Sequence, residues 1–471
     1  MAEAGLRQNA MRGGAYLLSR QAFSVLLKLL GVWLITRVLG PTEYGSYVAA
    51  FSVFSYAMLL GQAGVGVYLL RHPGDVPEAA YRTAYALLLA TAVLLTVALE
   101  ATRPWIADWT DVAGYAPVMA IMALALPFQL LSIPATIRLE RALDYRNVAI
   151  IEIGGEVSYY ALAAPLALSG LGAWSLAAAL LVKQALFFVL AHRLAGMRPR
   201  IGWDGEIARG IVRYAATFSL ANWIWSLRML VNPMIVGPAL GAQAVGIIGL
   251  TVGMLEMLSI VKTVAWRLSV SVLSRIQHDA EKLRRAVTEG MELQTLAVGI
   301  VLLGFGWVGG AIIPVVFGPR WADMMIYYPF IALAYLTIAT FNVHSAVMSV
   351  IDRNRDLAIS FVAHIVPFAA GTWWAVRQFG TIGYGIGEML ALPAYAIMHL
   401  LLARRIGSPD YRLTALWWTA AAVGLFWGYL GIWAIAVPFA ALLVPVSLRK
   451  LRGYWELVRR RRAPATEAEA A

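Results

Sequence analysis

The sequence predicts an all-α polytopic membrane protein of about 14 transmembrane helices, and three observations carry that prediction. Hydrophobic residues make up 61% of the 471, mean hydropathy is +0.71 and charged residues are only 14%. Apolar runs of about 20 residues recur along the chain, each long enough to cross roughly 30 Å of hydrocarbon. The basic residues also fall on one side. With the N-terminus placed inside, 28 of the 38 Lys and Arg lie in inward loops and tails, and four (Arg37, Arg103, Arg320, Arg377) in outward ones. That asymmetry follows the positive-inside rule and puts both termini in the cytoplasm, as expected for a bacterial inner-membrane protein.

Apolar segments begin near Gly14, Tyr44, Ala80, Tyr115, Asn147, Leu171, Ile211, Ala244, Met291, Met325, Leu357, Ile382, Leu413 and Gly431. The first is too long for the apolar core of a cleavable signal and lacks a small-residue cleavage site, so it is expected to remain as a span. The tail from Arg449, "RKLRGYWELVRRRR", is expected to anchor to anionic lipid at the membrane surface rather than to bind nucleic acid. The final "APATEAEAA" has the composition of a disordered end.

Several chemistries are excluded or unsupported. There is no cysteine, hence no disulfide and no thiol catalysis. Six scattered histidines show no HxxxH or HExxH spacing, so no metal site is expected. No Walker A loop is present, so neither a nucleotide nor any other cofactor is expected. The longest outward loop, from Glu100 to Tyr115, holds Asp108 and Asp111 beside Trp105 and Trp109, which suits solvated acids at the interface. It is too short to house a glycosyltransferase centre. No catalytic residues are expected.

A faint internal repeat organises the chain. "VLGPTEYGSYVAAFSV" from Val38 matches "ALGAQAVGIIGLTVGM" from Ala239, aligning Gly40 with Gly241 and Gly45 with Gly246 at an offset of 201. "DYRNVAI" from Asp144 echoes "NRDLAI" from Asn354, and "GLGAW" from Gly170 echoes "GTIGY" from Gly380. Six helices separate equivalent points, and an even number preserves orientation. The expected plan is therefore two pseudo-symmetric six-helix lobes, 1–195 and 211–406. A cytoplasmic linker (196–210) joins them; two extra helices (411–448) and the basic tail (449–471) complete the chain.

The opening "GGAYLLSRQAFSVLLKLLGVWLITRVLGPTEYGSYVAAFSVFSYAMLLGQAGVGVYLLR" closely resembles the start of polysaccharide-export flippases, the Wzx-type and PST-type members of the multidrug/oligosaccharidyl-lipid/polysaccharide (MOP) superfamily. "LERALDYRNVAIIEI" followed by "SGLGAWSL" looks like that family's fourth-to-sixth helix region. The resemblance spans nearly the whole chain, strongest before Arg193 and weakest after Tyr411. It implies a transporter that turns undecaprenyl-diphosphate-linked oligosaccharides from the inner to the outer leaflet by alternating access. O-antigen, capsule or exopolysaccharide repeats would be the cargo, and glycosyltransferases and a polymerase of the same pathway the partners.

Ionisable residues at membrane depth cost roughly 2.5 to 3.5 kcal/mol each on insertion scales, so each needs a partner or a job. Lys28 lies deep in the first span, and Arg20, Ser24 and Lys28 share a face at four-residue spacing. Ser19-Arg20 also resembles a Ser-Arg pair of the related lipid II flippases. Arg228 follows Lys28 by 200 residues, close to the repeat offset, which puts the two cations at matching depth. A lipid diphosphate entering a low-dielectric site needs such groups, with Arg giving a bidentate fork and Lys a point charge. Arg20, Lys28, Arg228 and Lys262 are accordingly the expected headgroup ligands. Asn222, Trp225, Ser226 and Asn232 are expected to face the sugar.

Glu256 begins a polar stripe with Ser259, Thr263 and Arg267 on one helical face. It is expected either as counter-ion to Arg228 or as a coupling carboxylate. Lys183 and Glu156 sit midway along antiparallel neighbours and are expected to form a structural ion pair. Glu388, His344 and His364 are weaker candidates, the histidines satisfied by nearby hydroxyls or backbone. The rivals are a cation-coupled multidrug exporter, a lipid II flippase and, from another class, a membrane-embedded glycosyltransferase.

Overall fold

A computed structural model describes the backbone of residues 2–462 and the side chains of 27, 29–213, 219–266, 269–270 and 272–456. Among the described residues every regular element is helical. Nine helices are long and apolar enough to cross a membrane, and a pair bent by 67°, Ile432–Leu443 with Pro445–Glu456, makes a tenth. The chain is thus a multi-pass membrane protein with fewer uninterrupted spans than the fourteen apolar segments.

The difference has local causes. The 61-residue helix Ala2–Gln62 contains Gly40 at φ 74°, ψ 174°, with Pro41 directly after it. Gly237–Leu258, the second half of the long run Ser219–Leu258, contains Gly241 at φ 75°, ψ −176°. Only glycine adopts this backbone freely, so each marks a corner where one helix ends and another begins. The two corners are the glycines aligned by the sequence repeat. Tyr145–Leu168 carries Arg146, Glu152 and Glu156, which lower its hydropathy. Arg412–Leu425 has only 14 residues and gives way to an irregular stretch around Gly431 (φ 104°).

Side-chain caps start three of the helices. Asp144 accepts from Asn147 N at 3.2 Å, and Asp204 from Glu206 N and Ile207 N at 3.0 and 3.1 Å. Asp279 accepts from Lys282 N at 3.0 Å, and this bond holds its carboxyl below the usual range. Each satisfies amides that the first helical turn leaves unpaired.

The chain packs as two compact units. The first comprises Met1–Thr251, Ala311–Tyr327 and Phe361–Ala391; the second comprises Val252–Gly310, Tyr328–Ser360 and Leu392–Ala471. Residues 196–210 lie within the first. There, Tyr145–Leu168 and Trp174–Leu194 run alongside each other and the first helix packs on them. The Gly40 corner is fastened from residues 315–321: Trp321, fully buried, donates to Thr36 O at 3.1 Å, and Arg37 donates to Val315 O at 2.9 Å. Past the corner, Glu43 accepts from Ala173 N at 2.9 Å.

The second unit is tied by polar contacts between otherwise apolar helices. Thr295 meets Thr340 at 2.8 Å, Tyr328 donates to Leu302 O at 2.8 Å and Trp418 to Thr337 Oγ1 at 2.9 Å. Lys450 of the C-terminal helix pairs with Glu292 at 2.7 Å. Inside a membrane such bonds hold helices together, because apolar contact with lipid is as good as apolar contact with a neighbour.

Candidate functional site

Among the described residues, three ion pairs join charged residues of the apolar helical stretches (Arg228–Glu388, Lys262–Glu256 and Lys183–Glu156), and they differ in which member is exposed. The first, in the first unit, joins Arg228 to Glu388, with Nη2 2.6 Å from Oε1. Arg228 stands where helical hydrogen bonding is irregular, between the helix Gly205–Ser226 and the π-turn Asn232–Val236. Pro233 removes one amide from that turn, and π-turns of this kind concentrate at functional sites. The guanidinium lies 4.7 Å from the Trp225 ring and 5.7 Å from that of Phe368. Trp225 is itself braced by Phe361 and His364, at 4.8 and 5.5 Å. His364 Nε2 is 4.0 Å from the other Glu388 oxygen. Glu388 is wholly buried while Arg228 keeps 13% exposure, so the pair presents its cation outward.

The second pair reverses this. In the second unit Lys262 Nζ lies 3.0 Å from Glu256 Oε2, and Tyr335 donates to Oε1 at 2.8 Å. The ammonium also sits 4.3 Å from the Tyr335 ring centroid. Glu256 is 52% exposed and Lys262 13%, so a visiting ligand meets the carboxylate first. The third pair, Lys183 with Glu156 at 2.9 Å in the first unit, leaves both members partly exposed, 21% and 14%.

Several sequence expectations change. Glu256 is expected either as counter-ion to Arg228 or as a coupling carboxylate; the structure pairs Arg228 with Glu388, 160 residues away in sequence, and Glu256 with Lys262. The helix breaks at Ser259 (φ −95°, ψ 17°) between them. On one continuous helix residues six apart stand about 120° apart around the axis and about 9 Å apart along it, and here a break lies between them. Lys262, expected to meet a headgroup, is therefore the less exposed member of its pair. Asn232, expected to face sugar, is buried and donates to Val245 O at 3.0 Å, tying the π-turn to the next helix. Asn222 is exposed, and Trp225 and Ser226 are half-buried at the end of the helix that precedes the Arg228 bend. The side chains of Arg20, Lys28 and Arg267 lie outside the described residues, as does residue 463 onward.

The sequence reading gave too little weight to Glu388 and none to Tyr335 or Tyr159. A lone acid in "GIGEML" was the available signal, since a carboxylate in an apolar helix requires a donor at its own depth. His344 was legible: its Nε2 lies 2.7 Å from Tyr411 OH, and Tyr411 OH lies 2.8 Å from His399 Nδ1. Among the described residues no cluster of His, Asp and Glu suits a metal ion.

The fold of this helical membrane chain is shared with solved membrane proteins. It matches the lipid II flippase MurJ in its inward closed conformation with a TM-score of 0.69 at 12% identity, over 94% of this chain and 99% of that one. It also matches an inward-facing multidrug resistance MATE family transporter of the MOP superfamily, with a TM-score of 0.68 at 15% identity over 81% and 94%. In sequence the chain is 24% identical over 371 residues to the succinoglycan biosynthesis transport protein ExoT of Rhizobium meliloti (strain 1021), covering 76% of this chain and 71% of that protein. The polysaccharide biosynthesis protein family matches residues 34–326, and the chain belongs to that family.

Proposed function

We propose that this protein turns a polyprenyl-diphosphate-linked oligosaccharide from the inner to the outer leaflet of the bacterial cytoplasmic membrane by alternating access. The observation that carries the reading is Arg228. A permanent cation inside the bilayer is stacked on an aromatic ring and backed by a carboxylate that is itself wholly buried. In the empty protein Glu388 offsets the charge; when cargo arrives, the exposed side of the guanidinium offers its remaining donors to the diphosphate. Binding is then an exchange of anionic partners. Release is possible because Glu388 takes the cation back.

Arg20 and Lys28 extend the headgroup site from the first span in this reading, while Asn222, Trp225 and Ser226 contact the first sugar. Glu256, as the exposed acid, suits a coupling carboxylate that binds a proton or a cation. The repeat supports two six-helix lobes divided at 196–210, with the helices bent at Gly40 and Gly241 counted as two spans each and Tyr145–Leu168 and Arg412–Leu425 as one each. Fourteen crossings then leave both termini in the cytoplasm, and the basic tail from Arg449 lies against anionic lipid. Glycosyltransferases and a polymerase of the same pathway are the expected partners.

The test is direct. Full-length protein in proteoliposomes is given a fluorescent undecaprenyl-diphosphate oligosaccharide, and dithionite quenching reads its leaflet. Wild type is expected to equilibrate the probe across the bilayer and Arg228→Ala to leave it where it was added. Failure of the wild type to move it, or sugar transfer from the polyprenyl donor to an acceptor, overturns the proposal.

A further inference from the structure

We propose that Tyr47, Phe51, Tyr159 and the Lys183–Glu156 pair form a saccharide-binding wall in the first unit, which holds the sugar portion of the cargo; the inference rests on the function proposed above. Glu156 and Lys183 lie midway along Tyr145–Leu168 and Trp174–Leu194, where the surrounding bilayer is hydrocarbon. Both keep some exposure, 14% and 21%. Charge exposed at that depth is not tolerated by lipid, so the open edge of the pair faces a polar space inside the protein.

Aromatic rings continue the same wall. Tyr159 lies 5.6 Å below the Lys183 ammonium and donates from its hydroxyl to that of Tyr47 at 3.2 Å. Tyr47 in turn stacks on Phe51, with centroids 5.4 Å apart and planes 16° from parallel. Tyr47 and Phe51 are four residues apart, on one face of the helix that follows the Gly40 corner. Phe51 is 38% exposed at the end of the stack, which leaves its ring face open to a ligand.

The charge pattern identifies the ligand class. An anion meeting this wall is repelled by Glu156, and a cation by Lys183. What fits is neutral, has both donors and acceptors around its rim, and has an apolar flat face to lay on Phe51 and Tyr47. A pyranose ring has those features. The site differs in this from Arg228, which shows only its cation.

Binding to full-length protein in phosphatidylethanolamine/phosphatidylglycerol proteoliposomes, read by competition, tests the assignment with two probes. One is undecaprenyl diphosphate without sugar; the other is the undecaprenyl-diphosphate-linked oligosaccharide isolated from the producing strain. Phe51→Leu keeps the apolar bulk and the fold, removing only the aromatic face. It is expected to weaken the sugar-bearing probe by about three- to tenfold and to leave the sugar-free probe unchanged. Glu156→Gln, which keeps the size but alters the acceptor, is expected to show the same selectivity. Arg228→Ala weakens both probes. Equal losses on both probes for Phe51→Leu, or no loss on the sugar-bearing one, overturn the wall alone. A wild type that binds neither probe overturns the flippase reading and the wall with it.

Discussion

Gly45 and Gly246 meet backbone to backbone, and the contact is reciprocal. A methyl group on Gly45 would strike Ala242 O, and one on Gly246 would strike Pro41 O; each would also stand 2.9 Å from the other glycine's amide nitrogen. Ala242 follows the corner glycine Gly241 as Pro41 follows Gly40, so the partners exchange under the offset of 201. Mutual pairing of this kind is what a local two-fold axis produces. The weak sequence repeat thus has a physical cause at these positions: two helix corners pack without side chains between them.

Either glycine replaced by alanine must push a backbone carbonyl aside, which costs about 1–3 kcal/mol or more by overpacking. Gly45→Ala and Gly246→Ala are expected to lower the thermal unfolding temperature of the purified protein. Gly253→Ala, where an added methyl meets open space, is the control and should not. Unchanged melting in all three would mean the corners do not touch.

Arg228 and Glu388 allow stability and transport to be separated. Removing one partner of a buried pair leaves an uncompensated charge and costs about 3–5 kcal/mol. Glu388→Leu is therefore expected to lower the amount of folded protein in membranes, and Arg228→Met with Glu388→Leu to recover it. The double variant should still fail to export, because the cation is gone. Export by the double variant would make the pair purely structural. Arg228→Lys keeps the charge but loses the planar fork and its stacking on Trp225, so partial export is expected.

Lys183 and Glu156 are both partly open, so the cost of breaking them is smaller. Lys183→Met with Glu156→Leu is expected to be tolerated better than either single change, measured as protein level and melting temperature. Additive losses would show that the two do not interact energetically.

Glu256 is the exposed acid of its pair, and its removal should spare the fold. Glu256→Gln keeps the acceptor for Tyr335 and is expected to change stability by less than about 1 kcal/mol. Transport should lose its dependence on the driving ion or on pH. Wild-type dependence in this variant would exclude Glu256 as the coupling group.

The lack of cysteine makes topology simple to measure. Asp108→Cys and Arg198→Cys each place one thiol at an exposed position, the first near the end of the helix Glu78–Thr110 and the second in a loop. A membrane-impermeant maleimide applied to intact spheroplasts is expected to label the first and not the second; the reverse pattern would invert the assigned orientation.

Some of this was written in local sequence. Apolar run length fixed the all-helical membrane class, because hydrocarbon cannot satisfy an open backbone and a helix satisfies its own. Gly40 and Gly241 announced the corners because only glycine enters that backbone region without strain, and Asp144, Asp204 and Asp279 marked helix starts for a similarly local reason. The partners of charged groups were another matter. Lys183 and Glu156 were inferable from depth on adjacent helices. Glu388 was not assigned to Arg228, since contact across 160 residues depends on how helices pack. Lys262 and Glu256 pair across a break at Ser259 that local sequence does not announce. Depth in a bilayer is counted along one helix, whereas the direction a side chain faces, and what meets it there, is decided only when the helices assemble.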